Sequence, residues 1–371
     1  MPKLFLNFFL LAVVALSAAC AHEDRVELST KRFGLLPDGR PVEQFTLRNP
    51  NGIEVQLLSY GGIVTSVKMP DNEGAVADVV LGFNSLPAYL KGHPYFGCIT
   101  GRVANRIAEA QFDLEGRNYK LAANNNRHHL HGGVRGFDKH VWSALPFRDE
   151  RSAGVVLTRR SVDGEEGYPG NLDCEVLYRL TSNNDFEVEY TAVSDRSTLV
   201  NLTHHSYFNL AGRGASGGVL GHELMLRARR YTPVDSEGIP SGALATVVGT
   251  AFDFSNYHTI GERIAQVEGG YDINYVLDTD GRSFDLAAVL LHRKSGRSVE
   301  VWTDQPGLQL YTGNFLDGTL SDGATSYEKH GGVCLEAQRF PDAPHKAHFP
   351  SIVLDKGDVY RQRTVYKFRV R

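Results

Sequence analysis

The sequence predicts an all-β fold, an antiparallel sandwich or barrel-like stack of many short strands. Three observations predict it. Short runs alternate apolar and polar side chains, the period of a strand with one buried face. Turn residues separate the runs, and the composition agrees: 38 of 371 residues are glycine and 10% are aromatic, as short strands with tight turns require. The helical period is nearly absent, suggested only over 86–90 and 260–265.

In chain order, Ile53-Glu-Val-Gln-Leu-Leu58 and Ile63-Val-Thr-Ser-Val67 alternate, joined at Tyr60-Gly-Gly62 in a hairpin-like signal. A strand is expected over 76–83, and residues 112–121 read as a hairpin turning at Gly116. Val155-Val-Leu157, Cys174-Glu-Val-Leu-Tyr-Arg-Leu180 and Phe186-Glu-Val-Glu-Tyr190 alternate well, with Asn183-Asn-Asp185 as the turn between the last two. Further strands are expected over 223–229, 286–292, 299–303, 308–311, 333–337 and 363–370. No linker, charge block or fixed-period repeat divides residues 26–371, so one large domain is expected.

Hydrophobic and charged contents of 42% and 22% are those of a globular protein, and a net charge of −4 offers no basic field for nucleic acid. The first 21 residues read as a targeting segment: Lys3, an apolar run over 4–16, then Ser17-Ala-Ala-Cys-Ala21. The run is shorter than the roughly 20 residues a spanning helix needs. Cys20 after Leu16-Ser-Ala-Ala19 resembles a lipoprotein signal, with Ser17 where Leu is usual. The product is thus expected to be exported, free in a periplasm or held at the membrane as a lipoprotein through Cys20. Cys98, Cys174 and Cys334 sit in apolar stretches at no zinc spacing and read as buried structural thiols.

Two motifs are set aside. Gly212-Arg-Gly-Ala-Ser-Gly217 matches a dinucleotide fingerprint, but a turn and strand follow it where a helix is required, so it reads as a loop. His128-His-Leu-His131 and His204-His205 raise a metal, with His129 and His131 sharing a strand face, yet the spacing matches no established metal motif and none is expected.

The chemistry gathers around Leu199-Val-Asn-Leu-Thr-His-His-Ser-Tyr-Phe-Asn-Leu210. Read as a strand, Val200, Leu202, His204, Ser206 and Phe208 face a core, while Asn201, Thr203, His205 and Tyr207 line a cleft. Three other strands carry polar groups opposite apolar ones: Gln309 and Tyr311 against Leu308 and Leu310, Glu336 and Gln338 against Leu335 and Ala337, Asp272 and Asn274 against Tyr271 and Ile273. Each alone fits a solvated strand face. Glu336 fits it least, because Val333, Leu335 and Ala337 flank it and desolvation would raise its pKa.

These residues carry a resemblance. The chain from about Arg32 onward is similar to the aldose 1-epimerases, or galactose mutarotases. The matching pieces, in chain order, include Gly101-Arg-Val-Ala-Asn-Arg-Ile107, Leu130-His-Gly-Gly133, Gly164-Glu-Glu-Gly-Tyr-Pro-Gly-Asn171, the 201–210 run, Gly270-Tyr-Asp-Ile-Asn-Tyr275, Gln309-Leu-Tyr-Thr-Gly-Asn-Phe315 and Cys334-Leu-Glu-Ala-Gln338. The resemblance implies a large antiparallel β-sandwich, with His205 as general acid and Glu336 as general base. It implies that Asn105, Arg106, His131, Asp272 and Gln309 bind the sugar. His204 stands where Asn is common and Ala337 where Thr is common; His204, on the apolar face, reads as a buried structural imidazole.

The residues suit that chemistry independently. Anomers interconvert by opening the ring and closing it on the other carbonyl face. Opening removes a proton from the anomeric hydroxyl and delivers one to the ring oxygen, work for a carboxylate and an imidazolium with neither cofactor nor metal. The expected partner is a small free aldose. Two alternatives are glycoside hydrolysis by Asp272 and Glu336, for which two carboxylates are the minimum, and a non-catalytic sugar-binding module. Which aldose is preferred and the oligomeric state are not legible.

Overall fold

The chain is described from a computed structural model, which covers residues 25–279, 281 and 283–371; the targeting segment expected over residues 1–21, Cys20 included, lies outside them. Three antiparallel sheets carry most of the strands among the described residues. The first runs in chain order through Glu27–Leu35, Pro41–Arg48, Glu54–Leu58, Val64–Pro70 and Val76–Asp78. The second has nine strands in the order Ser143–Arg148, Ser152–Ser161, Leu172–Thr181, Asp185–Ser194, Val359–Val370, Arg297–Thr303, Asp285–His292, Glu223–Leu226 and His258–Thr259. The third has six: Tyr207–Phe208, Val333–Gln338, Gly307–Tyr311, Asp272–Leu277, Ala228–Tyr231 and Ala245–Thr246. One apolar cluster joins all three, drawing Phe45 and Val55 from the first, Val155, Val176, Val188 and Val299 from the second, and Ile273, Leu308 and Leu335 from the third. The all-β sandwich expectation holds.

The departures have local causes. The two opening strands have no alternating apolar run to reveal them: Glu27–Leu35 is an exposed edge, and Pro41–Arg48 buries the polar Gln44. The run over 223–229 is not one strand, because the chain leaves the nine-stranded sheet after Leu226 and joins the six-stranded sheet at Ala228. Residues 76–83 form a ladder only over Val76–Asp78; past it, the Val79 carbonyl accepts from Asn209 N–H and Leu81 N–H donates to Tyr207, so the chain crosses between sheets. The 260–265 signal proves to be two single 3₁₀ turns, Ile260–Glu262 and Ile264–Gln266, while Leu86–Leu90 is a short α-helix. Residues 212–217 form turns without a helix, and Cys98, Cys174 and Cys334 are buried free thiols, as expected.

Candidate active site

Residues 199–210 do not make one strand. Thr198–Leu199 pairs with Val353–Leu354, Thr203–His204 with Ile99–Thr100, and Tyr207–Phe208 with Val333 and Cys334. The segment crosses three neighbours rather than lying along one, so no continuous ladder forms, yet its alternation survives. Val200, Leu202 and Phe208 enter the main core. His204 is buried between Ser206 Oγ, 2.7 Å from its Nε2, and the Tyr178 hydroxyl, 3.3 Å from its Nδ1. Burial lowers its pKa to about 3, in keeping with a structural imidazole. On the other side, His205 and Tyr207 line a cavity. Asn201 and Thr203, expected beside them, do something else. Asn201 Nδ2 donates to the Arg339 carbonyl (3.1 Å), Arg339 N–H donates to Asn201 Oδ1 (2.9 Å), and the Thr203 hydroxyl donates to the Ala337 carbonyl (2.9 Å). These bonds clamp the strand bearing Glu336 to the segment bearing His205.

The floor is the centre of the six-stranded sheet. Gln309 stands directly across from Glu336, and Asp272 across from Tyr311. Leu308, Leu310, Leu335, Ala337 and Ile273 point into the core, so strand alternation turns Glu336, Gln309 and Asp272 the other way. Gln309 Nε2 donates to Asp272 Oδ1 at 2.6 Å and fixes that carboxylate. Asn274 and Gln338 share the polar face in sequence but are buried away from the cavity.

The remaining wall comes from residues 94–95, 105–106 and 130–131. Asn105 and His131 both have left-handed backbones, φ 60 and φ 50, a conformation concentrated at functional sites because it must be held in place by its surroundings. They hold each other: His131 N–H donates to the Asn105 carbonyl (3.0 Å), and Asn105 N–H donates to His131 Nδ1 (3.2 Å). With Nδ1 accepting, the ring hydrogen of neutral His131 sits on Nε2. A side chain on Gly132 (φ +87) would place its Cβ 1.6 Å from the Gly101 carbonyl oxygen, so this turn admits only glycine. Glu166 accepts from the backbone N–H groups of Val134 and Arg135, both at 2.9 Å, tying the 164–171 motif to the His131 loop. His129 does not share a face with His131. Its Nδ1 lies 2.8 Å from the Ala122 carbonyl and its Nε2 2.8 Å from the Tyr168 hydroxyl, because the left-handed turn at His131 breaks the alternation. Arg106 Nε donates to Asn125 Oδ1 at 3.1 Å. Arg102, in the same motif, is instead a buried structural cation bonded to the carbonyls of Ser161, Val162, Pro169 and Gly170.

All seven expected residues, Asn105, Arg106, His131, His205, Asp272, Gln309 and Glu336, line one cavity. Sequence reasoning missed Pro94, Tyr95, Leu130, Phe315 and the pocket-lining role of Tyr311. Alternation placed Tyr207 on the cleft face and Tyr311 beside Gln309, but Pro94, Tyr95, Leu130 and Phe315 lie where no strand alternation marks a face. His205 Nε2 is 3.5 Å from Glu336 Oε1, with side chains 5% and 2% exposed. Burial pushes Glu336 well above the usual carboxylate range; Asp272 pushes it further, and Arg106 opposes. Burial lowers His205 to about 4, with its own backbone carbonyl opposing. Burial also holds His131 well below its ordinary value, reinforced by His205 and Arg106. His131, His205 and Glu336 lie close enough to share an ion, their nearest atoms all within 4.8 Å. However, neutral His131 presents an N–H to the cavity, the donor a hydroxyl needs rather than the lone pair a metal needs.

A buried carboxylate and imidazole over a polar β-sheet floor define a site for proton transfer to and from a small hydroxylated molecule. A family model described as Aldose 1-epimerase matches residues 43–367. The chain is 44% identical over 348 residues to a galactose mutarotase of Bos taurus, covering 93% of this chain and 99% of that protein, and 45% identical over 349 residues to one of Sus scrofa, with the same coverage. The crystal structure of galactose 1-epimerase from Lactobacillus acidophilus NCFM superposes with a TM-score of 0.82 at 29% identity, covering 93% of this chain and 99% of that one. The chain belongs to the aldose 1-epimerase family.

Proposed function

We propose that this protein interconverts the α and β anomers of free aldohexoses such as galactose and glucose. The observation that carries the reading is the placement of His205 Nε2 3.5 Å from Glu336 Oε1 in a cavity that Arg106, His131, Asp272 and Gln309 also line. Glu336 takes the proton of the anomeric hydroxyl as the bond from C1 to the ring oxygen breaks, and His205 gives a proton to that oxygen. C1 becomes an aldehyde and rotates about its bond to C2. Closure reverses every transfer: the ring-oxygen hydroxyl attacks the other carbonyl face and returns its proton to His205, while Glu336 protonates the carbonyl oxygen. The pair therefore holds one proton throughout: on His205 in the form that opens the ring and on Glu336 after opening, which is also where it rests in the free protein, since burial raises Glu336 and lowers His205. Arg106, His131 and the Asp272–Gln309 couple orient the hydroxyls, His131 as an Nε2–H donor.

Glu336→Gln keeps size and polarity but cannot accept a proton. It is expected to lower mutarotation of freshly dissolved α-galactose, followed by polarimetry, by about a hundred- to ten-thousand-fold, with sugar affinity by calorimetry retained. A variant as active as the parent would remove Glu336 from the mechanism. On the Lys3, 4–16 and Ser17–Ala21 pattern, we also propose export, with either signal cleavage or lipidation at Cys20. Mass spectrometry of the mature N-terminus separates the two, and an intact Met1 would contradict both.

A further inference from the structure

The proton donor proposed above lacks a feature that catalytic imidazoles usually have. A working histidine is normally fixed by a carboxylate or carbonyl on its second nitrogen, which sets the ring plane and favours the charged form. His205 Nδ1 is buried and has no hydrogen-bond partner among the described residues. Its backbone is well held, with His205 N–H donating to the Cys98 carbonyl (3.0 Å) and Gly97 N–H donating to the His205 carbonyl (2.9 Å), but those bonds do not fix the ring.

Aromatic rings are what contact it. The Tyr207 ring lies 5.2 Å from the imidazole at an interplanar angle of 19°, and the Tyr95 ring 5.9 Å from it at 23°. Two tyrosine faces thus run nearly parallel to the ring that must carry the proton. Tyr207 is also fastened to the segment that carries Tyr95: its hydroxyl donates to the Pro94 carbonyl at 2.7 Å. Tyr95 is held in a left-handed backbone, φ 61, a strained choice for an aromatic residue. Its ring also packs 4.5 Å from that of His131. We infer that Tyr95 and Tyr207 are positioning residues for His205, their ring faces doing what a hydrogen bond to Nδ1 does elsewhere: setting the imidazole plane and stabilising its charged form.

The physical basis is the negative face of an aromatic ring, which attracts a cation most strongly where water is excluded. The other charged and titratable groups around His205 are Glu336 on the adjoining strand, Asp272 and Arg106 lining the same cavity, His131 with its ring 5.2 Å away, His204 beside it in sequence, and His93 on the Tyr95 loop. Lys139 Nζ sits 5.3 Å from the Tyr95 ring centroid, so that ring faces cationic groups on more than one side. Of the two carboxylates, Glu336 is the one in ion-pair reach of His205, at 3.5 Å, and it gives up its own charge whenever it holds the shared proton.

The inference rests on His205 being the proton donor, and the test separates the two. Tyr95 is the position to change, since Tyr207 is 1% exposed and part of a core cluster. Tyr95→Phe keeps the ring and is expected to keep the acid limb of the kcat–pH profile at the parental pH, whatever loss of the hydroxyl from the cavity wall does to kcat. Tyr95→Leu keeps apolar bulk without the ring. Its expected kcat is about tenfold lower, with the acid limb of the kcat–pH profile displaced downward by about one pH unit. Tyr95→Met serves the same purpose should Tyr95→Leu fail to fold. A folded ring-less variant whose acid limb stays at the parental pH, whatever its kcat, would overturn the inference. His205→Asn is assayed alongside: if it remains active, the assignment of the donor falls and this inference with it, whereas if it is inactive and the limb is unmoved, the tyrosine role alone falls.

Discussion

At the scale of single residues, the site depends on groups that would be unfavourable anywhere else. Glu336 Oε2 and Gln309 Oε1 are buried without partners, a cost of about 1–3 kcal/mol each for neutral groups that a bound sugar's hydroxyls would relieve. Gln309 uses its amide nitrogen to aim Asp272, so Gln309→Ala is expected to raise KM for galactose about tenfold, roughly one lost charge-assisted hydrogen bond, with a smaller effect on kcat. An unchanged KM would show that Asp272 orients itself. His131 is the residue most plainly reinterpreted by its surroundings. The sequence offered it with His129 as a ligand-like pair, but Asn105 N–H occupies its Nδ1 and leaves a donor in the pocket. The sequence pattern could not have supplied that assignment, because it depends on two left-handed residues 26 positions apart.

At the scale of elements, the sheet was legible wherever one face is apolar. Strand alternation alone put Glu336, Gln309 and Asp272 on a common side, since Leu308, Leu310, Leu335 and Ile273 are forced into the core. What alternation could not show is how a segment pairs. The 199–210 run reads as one strand, yet it has three partners, and two of its polar residues serve the Glu336 strand rather than the cavity. The consequence is measurable. Thr203→Val removes one of the two side-chain donors to the Ala337 carbonyl, leaving Gln362 Nε2 at 3.0 Å, and should lower unfolding free energy in urea by about 1 kcal/mol. Because Ala337 adjoins Glu336, kcat should fall about ten- to a hundredfold as the base shifts against the acid. Loss of stability with unaltered kcat would mean that the clamp does not set the site.

At the scale of the whole molecule, all three sheets share one core, and that core encloses ionisable groups in their neutral forms. Burial lowers His204 and His222 to about 3 and His205 to about 4. An unfolded histidine takes up a proton below about 6.5 and these folded ones do not. Their contribution to stability is therefore complete above pH 6.5 and is lost as pH falls toward 4, by about 1.4 kcal/mol per pH unit per group. Urea midpoints should drop between pH 6.5 and 4.5; a flat profile would contradict the burial of these imidazoles. The same low dielectric governs catalysis. In the proposed mechanism one proton is shared across 3.5 Å between Glu336, whose affinity for it is raised, and His205, whose affinity is lowered, and either group must be able to carry it during a turnover. The most direct test is the pH dependence of kcat for mutarotation at saturating galactose. A bell is predicted, with its acid limb near pH 4, where His205 gains a second proton for the pair, and its alkaline limb well above the ordinary carboxylate range, where Glu336 gives up the last one. An acid limb near 6.5, the value of a free imidazole, or a rate independent of pH across this range, would contradict a single proton passed between His205 and Glu336.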